Sequence, residues 1–325
     1  MKALCWHGKG DIRCDTVPDP TIEDSRDVII KVTSCAICGS DLHLMDGQMP
    51  TMKSGDVLGH EFMGEVVETA PGFTKFKKGD RIVVPFNINC GECRQCKLGN
   101  WSVCQRSNRN AEMAAAQFGF TTAGLFGYSH ITGGYAGGQA EYVRVPMADV
   151  GPMIIPEDIH DDDAVLLTDA LPTGYKAAEM GDIKEGDTVV VFGAGPVGIF
   201  AAKSAWLMGA GRVIVVDEIE YRLEFVKNYA QCEVVNFKEV RDMALHIKKM
   251  TDWMGADVRI DAVGCDAAGN FAQSLLASSS SCKAARPRCC TGASTRCARA
   301  ARCRSSASMA RPSMRFRLAM RSTRG

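Results

Sequence analysis

VVVFGAGPVGIFAA, residues 189–202, decides the fold. Its glycines Gly193, Gly195 and Gly198 form G-x-G-x-x-G between an apolar strand and an apolar helix. The first glycine permits a tight turn, the second lets the backbone approach a pyrophosphate, and the third lets the helix pack closely on the strand. Pro196 suits a first helical turn, where a missing N–H costs nothing, and Val197 lies in the same turn. Asp217 ends the next strand, RVIVVD. A carboxylate there accepts hydrogen bonds from adenosine ribose hydroxyls and repels a 2′-phosphate, so NAD is expected rather than NADP. Arg222, in the helix pattern that follows, completes the cofactor-binding candidates. The competing reading is a glycine-rich turn with a helix-capping aspartate.

Outward from this motif the rhythm is that of alternating apolar strands and helices: DTVVVFG, RVIVVD, EIEYRLEFVKNYA, EVVNF, EVRDMALHIKKMTD and ADVRIDAVG. Strands apolar on both faces and separated by helices imply a parallel sheet covered on both sides, an α/β nucleotide-binding domain. Residues before about 150 differ. Their segments are short and β-rich (DVIIKVTSC, GEVVETA, RIVVPFNI, AEYVRVP) and are broken by Gly, Pro and Asp, the pattern of a mainly β domain. Residues 105–140, rich in Gly, Ala and aromatics, read as a long, partly ordered loop.

The chain has 325 residues, 46% of them hydrophobic, and is formally neutral. That length supports two domains with real cores. Neutrality averages two unlike parts, because residues 277–325 hold eleven Arg, one Lys and no acid, which leaves the body acidic. No apolar run is long enough to span a membrane, and the start MKALCWHGKGDIRCD lacks the apolar stretch of a secretory signal. A cytoplasmic location and no membrane partner are therefore expected. In that setting fifteen cysteines point to thiolate chemistry rather than bridges.

CGECRQCKLGNWSVC places Cys90, Cys93, Cys96 and Cys104 at C-x2-C-x2-C-x7-C. Four thiolates so spaced match a closed, tetrahedral, structural zinc site. Two disulfides or an iron–sulfur cluster are the alternatives. Three further stretches are dispersed: SCAICGSDLH (34–43), GHEFMGEVVE (59–68) and LLTDALPTGYKAA (166–178).

CxSDxH followed by GHE, the four-cysteine lobe and the G-x-G-x-x-G domain resembles the zinc-dependent medium-chain alcohol dehydrogenase family over residues 1 to about 276. The resemblance implies a GroES-like β domain (1–160, with the zinc lobe at 90–104) joined to a Rossmann domain, a doubly wound parallel sheet (161–276), incomplete at its C-terminal end. It implies Cys38 and His60 as catalytic zinc ligands, with Asp41 orienting His60. The cysteine that commonly serves as third ligand is missing from TDALPTG, and Asp169 stands there, as in the branch similar to glutathione-independent formaldehyde dehydrogenases. A carboxylate is an acceptable zinc donor. Glu61 is either a transient ligand or only adjacent to the ligands. Cys5, Cys14, Cys35, Cys232 and Cys265 read as ordinary small thiols.

The implied chemistry is hydride transfer between a small alcohol or aldehyde hydrate and NAD, with one catalytic and one structural zinc. By the same resemblance Ser40 takes the substrate proton and passes it, through the nicotinamide ribose, to His43 beside bulk water; a plain surface histidine is the other reading of His43. Thr173 would pack beside the nicotinamide. His7, His130, His160 and His246 carry no assignment. A polyol or secondary-alcohol dehydrogenase, or a non-catalytic zinc- and nucleotide-binding fragment, are the rival functions.

The basic end, ARPRCCTGASTRCARAARCRSS (285–306), admits nucleic-acid binding. The genetic code offers another account: shifted by one base from about residue 277, Ser codons beginning TC become Val, Ile, Leu or Phe, and Arg codons beginning CG become Ser, Thr, Ala or Pro. Chosen with the family in view, the other frame yields KGG and the apolar strand TVSVIGVYG without a stop. Residues 277–325 are therefore expected to be an out-of-frame, disordered basic tail. Nucleic acid is then not expected as a partner, and the homo-oligomer contacts of the intact family are expected to be missing.

Overall fold

The computed structural model describes residues 1–263 and 299–302. The chain divides into two compact units, one ending at Asp169 and the other beginning at Ala170.

The first unit holds strands β1 (Lys2–Gly8), β2 (Asp11–Thr16) and β3 (Val28–Cys35), helix α1 (Gly39–Met45), then β4 (Asp56–Val57), β5 (Phe62–Thr69), β6 (Arg81–Val84) and β7 (Asn87–Ile88). Short helices α2 (Arg94–Lys97) and α3 (Ala111–Phe118) follow, then β8 (Gly124–Leu125), β9 (Tyr142–Val145), β10 (Met153–Ile154) and α4 (Asp161–Ala164). Its sheets are antiparallel, in the orders β2-β1-β4, β10-β6-β5-β3-β9 and β7-β8. Val28, Ile30, Phe62, Val66, Ile82 and Val84 share one core with Phe126 and Val145. On the other face Met63 and Val83 pack against Ala164 and Val165. That contact carries residues 161–169 into the β unit, beyond the boundary expected at 160. Period-two alternation is what lets one strand feed both cores.

The 105–140 segment is tightly anchored. Phe126, Tyr128, Ile131 and Tyr135 are buried, Gly137 N–H donates to Val57 O at 3.0 Å, and Gln139 N–H to Leu58 O at 2.9 Å. These contacts are backbone on backbone. A Cβ on Gly137 would stand 2.2 Å from Leu58 O, so only glycine fits.

The second unit comprises α5 (Ala170–Met180), β11 (Thr188–Phe192), α6 (Pro196–Leu207), β12 (Arg212–Asp217), α7 (Glu220–Ala230), β13 (Glu233–Asn236), α8 (Met243–Met250), β14 (Val258–Asp261) and β15 (Arg299–Arg302). The sheet order is β13-β12-β11-β14-β15. The first four strands are parallel and β15 pairs antiparallel with β14. Val189, Val191, Val213, Val215, Val258 and Ile260 face α5, α6 and α7, whereas Val190, Phe192, Ile214 and Val216 face α8. Helices cover both faces, the expected doubly wound arrangement. Chain order reverses at β11, which pairs with both β12 and β14, so the C-terminal end of β11 is the topological switch point of the sheet.

The tail expected to be out of frame and disordered lies outside the described residues except for Arg299–Arg302, whose pairing as β15 that reading does not foresee. Among the described residues no helix is long and apolar enough to cross a membrane.

Candidate metal centres and nucleotide loop

Cys38 sits at the N-cap of α1 with extended backbone. Its N–H donates to Asp41 Oδ2 at 2.9 Å, so the helix start fixes both residues at once. His60 follows Gly59 just before β5, and its ring lies edge-on to Tyr128 with centroids 6.3 Å apart. Asp41 Oδ1 is 3.4 Å from His60 Nδ1, which leaves Nε2 facing Asp169 Oδ2 at 3.4 Å and Ser40 Oγ at 3.1 Å. Cys38 Sγ is 3.9 Å from Asp169 Oδ2. One ligand atom from each of Cys38, His60, Glu61 and Asp169 falls within 4.8 Å of all the others. A tetrahedral zinc with bonds of about 2.0–2.3 Å holds its ligand atoms roughly 3.3–3.8 Å apart, so the donors stand close to ligation spacing.

The electrostatics also favour a cation. Burial pulls the His60 imidazolium down, but hydrogen bonding to Asp169, Asp41 and Cys38 outweighs it and holds the ring well above its ordinary range. Burial, and then the Asp169 charge, raise Glu61 to about 7. A proton on the imidazole or on Glu61 offsets crowded buried negative charge, which a divalent ion would neutralise more fully.

In the second cluster Cys90, Cys93, Cys96 and Cys104 are all buried and unbridged. Sγ–Sγ separations are 4.0 Å for Cys90–Cys96 and for Cys93–Cys104, close to the edge of a zinc–thiolate tetrahedron. Backbone N–H groups point at the sulfurs: Cys93 to Cys90 Sγ at 3.4 Å, Cys96 to Cys93 Sγ at 3.5 Å, Gln105 to Cys93 Sγ at 3.4 Å and Cys90 to Cys104 Sγ at 3.4 Å. Burial pushes the Cys93 thiol up, yet the Gln105 and Cys96 amides and the neighbouring thiols bring it to about 6. Burial keeps Cys90 and Cys96 high. The set is thus divided, with Cys93 and Cys104 lowered and Cys90 and Cys96 raised, so loading a metal has to displace the protons of the raised pair; every protein position of a four-coordinate site is filled.

In the second unit Gly193 takes φ +97 at the end of β11 and Gly195 caps α6, with Pro196 in its first turn. Space around Gly195 is open, while a Cβ on Gly198 would stand 1.8 Å from Gly193 O. Open approach at the second glycine and closure at the third are what a phosphate-binding turn requires. Val197 is part-buried against the α6 core. Asp217 Oδ2 accepts from Ala194 N–H at 2.6 Å, and its Oδ1 from the Glu218 and Ile219 amides at 2.7 and 2.9 Å. These three amides make Asp217 a cap of the glycine turn and of the chain leading into α7, with its carboxylate beside Ala194 of the loop. Arg222 lies in the first turn of α7 with its Nε on the Tyr221 hydroxyl at 3.2 Å. Thr173 lies in α5, which packs on α6.

The alcohol dehydrogenase GroES-like domain family matches residues 24–157, and the zinc-binding dehydrogenase family matches residues 196–281. An uncharacterized zinc-type alcohol dehydrogenase-like protein of Bacillus subtilis is 50% identical over 268 residues, which cover 82% of this chain and 68% of that protein. The chain belongs to the zinc-dependent alcohol dehydrogenase family. A glutathione-independent formaldehyde dehydrogenase of Bacillus subtilis is 36% identical, over 83% of this chain and 67% of its own length. The alcohol dehydrogenase TADH from Thermus sp. ATN1 is a solved structure with a TM-score of 0.74 and 31% identity, covering 85% of this chain and 73% of that one. The chain thus spans about two thirds of the length of these curated relatives.

Within this dehydrogenase fold the structure corrects one expectation. His43 is 8% exposed rather than open to bulk water, because the face of α1 carrying Ser40, Asp41, His43 and Leu44 turns inward. Cys5 and Cys232 are buried and Cys14 and Cys35 exposed, ordinary thiols as expected; Cys265 lies outside the described residues. Sequence reasoning missed Gln139, whose Nε2 donates to Asp41 Oδ2 at 3.2 Å, and Tyr128 beside His60. The signal for Gln139 was the glycine-dense run GGYAGGQ (133–139), in which Gly137 packs directly on the backbone of Leu58 and Gly59.

Proposed function

We propose that this chain carries the machinery of a zinc-dependent oxidoreductase acting on a small alcohol or aldehyde hydrate with NAD, closest to the formaldehyde dehydrogenase-like branch. The observation that supports it is the convergence of Cys38, His60 and Asp169 in one cluster, a sulfur, nitrogen and oxygen set in which Asp169 takes the place of the commoner second cysteine. Zinc held by these three would supply Lewis acidity toward a substrate oxygen, and NAD would supply the hydride acceptor.

The remaining work falls to the chain's own side chains. Asp41 fixes the ring of His60 through Nδ1, leaving Nε2 for the metal. Ser40 Oγ, 3.1 Å from His60 Nε2 and buried, is placed beside the cluster to hold a substrate hydroxyl proton. His43, one helical turn along, is the next proton carrier, and its burial calls for a relay group between it and water. Asp217 selects NAD by occupying the place of a 2′-phosphate, and the Gly193–Gly198 turn receives the pyrophosphate at the start of α6. The Cys90–Cys104 lobe has no position left for substrate and serves the fold.

Zinc content and NADH formation with formaldehyde, ethanol and a polyol test this reading. Two zinc ions per chain, with NAD turnover highest on the small primary substrates, is expected. One zinc per chain, or preference for the polyol, would contradict it.

A further inference from the structure

We infer that Ser54 is an activated nucleophile, held in a Ser54–His7–Asp15 triad apart from both cysteine-containing clusters, and that it accepts the acyl group of small activated esters. His7 Nε2 is 2.6 Å from Asp15 Oδ2, and His7 Nδ1 is 2.8 Å from Ser54 Oγ. A carboxylate only accepts, so in the neutral imidazole Asp15 draws the ring proton to Nε2, and the Nδ1 lone pair faces the serine hydroxyl. This is the relation that a serine nucleophile needs with its base and the base with its orienting acid, with the two ring nitrogens exchanged.

The fold holds the three rigidly. The register of β1 on β2 shifts between Trp6 and Gly8, so His7 sits in an irregularity that re-aims its side chain. The Ser54 turn is tied to β1 through the Gly55 N–H to Trp6 O bond at 2.8 Å, and closed by Lys53 N–H to Asp56 Oδ2 at 2.7 Å. Asp56 is itself paired with His130 Nε2 at 3.0 Å. Ser54 is exposed, while the His7 and Asp15 side chains are 20% and 34% exposed. The nucleophile is therefore reachable and its activating pair partly shielded.

In the step, Ser54 Oγ attacks the ester carbonyl carbon, the C–O bond to the leaving group breaks with its electron pair on the departing oxygen, and the serine proton passes to His7 Nδ1. With diisopropyl fluorophosphate the same attack forms an O–P bond and expels fluoride.

The test is labelling of the whole purified chain with diisopropyl fluorophosphate, located by peptide mass spectrometry. One adduct at Ser54, formed at least about tenfold faster than at any other serine and abolished in urea, is expected. His7→Gln should remove it and Asp15→Asn should slow it roughly tenfold or more. Absence of the Ser54 adduct in the folded wild-type chain, equal labelling in urea, or undiminished labelling of folded His7→Gln would each overturn the inference and leave the triad a latch between loop and hairpin.

Discussion

Asp169 Oδ2 stands 3.4 Å from His60 Nε2, although the two residues come from distant parts of the chain. The carboxylate reaches that place because α4 and the turn after it pack on β6 through Ala164, Val165 and Val83. Replacing Asp169 by Ala should therefore empty the mixed-ligand site while leaving the four-cysteine site intact. Metal analysis should fall from two zinc ions to one, and NAD turnover should drop by more than the roughly 100-fold typical of losing an outer partner.

Asp41 acts on the metal only through His60 and Cys38. Asp41→Asn should weaken zinc binding by about 10–100-fold, read by competition with a chelating dye. Gln139→Leu, which removes one donor from Asp41 Oδ2 and leaves its bond to Cys38 N–H, should weaken it less. A larger effect from Gln139→Leu than from Asp41→Asn would show that the ordering of this network is wrong.

Cys93→Ser should lower the melting temperature of the loaded protein, and added chelator should then have little further effect on that lobe. A structural zinc site contributes directly to folding. Unchanged melting would mean that the four cysteines hold no metal.

Gly198→Ala should cost the second unit several kcal/mol, since its Cβ would meet Gly193 O at 1.8 Å. Asp217→Ala should reduce discrimination between NAD and NADP by about tenfold or more. Its loss of the bond to Ala194 N–H predicts weaker binding of both. Dinucleotide titrations of the two variants decide this.

Burial pushes the Cys232 thiol up to about 11, against an ordinary value of 9.0. With the folded value raised, the buried neutral thiol contributes fully below pH 9.0, and that contribution is lost as pH rises from 9 toward 11. The loss should not exceed about 2 kcal/mol after solvent screening. Cys232→Ala should flatten this alkaline decline in urea melts; an unchanged slope would assign it to other groups.

Much of this was legible in the sequence because the chemistry is local. The run from Val189 to Ala202 specifies strand, turn and helix within fourteen residues, and the four-cysteine lobe spans a single short segment. Asp169 became a candidate only by resemblance, since nothing in TDALPTG alone says that it meets His60. Gln139 and Tyr128 escaped because their role depends on backbone packing of Gly59 against residues 137–139, a tertiary contact without residue periodicity. His43 was misplaced for a similar reason: helical spacing shows which face it shares with Ser40, but not what covers that face.

Zinc K-edge X-ray absorption on the fully loaded chain tests the central claim most directly. Ligation by Cys38, His60 and Asp169 at one site and by Cys90, Cys93, Cys96 and Cys104 at the other predicts five sulfurs shared between two ions, with nitrogen and oxygen scatterers present, and all-sulfur ligation in Asp169→Ala. An all-sulfur spectrum from the wild-type chain would contradict it.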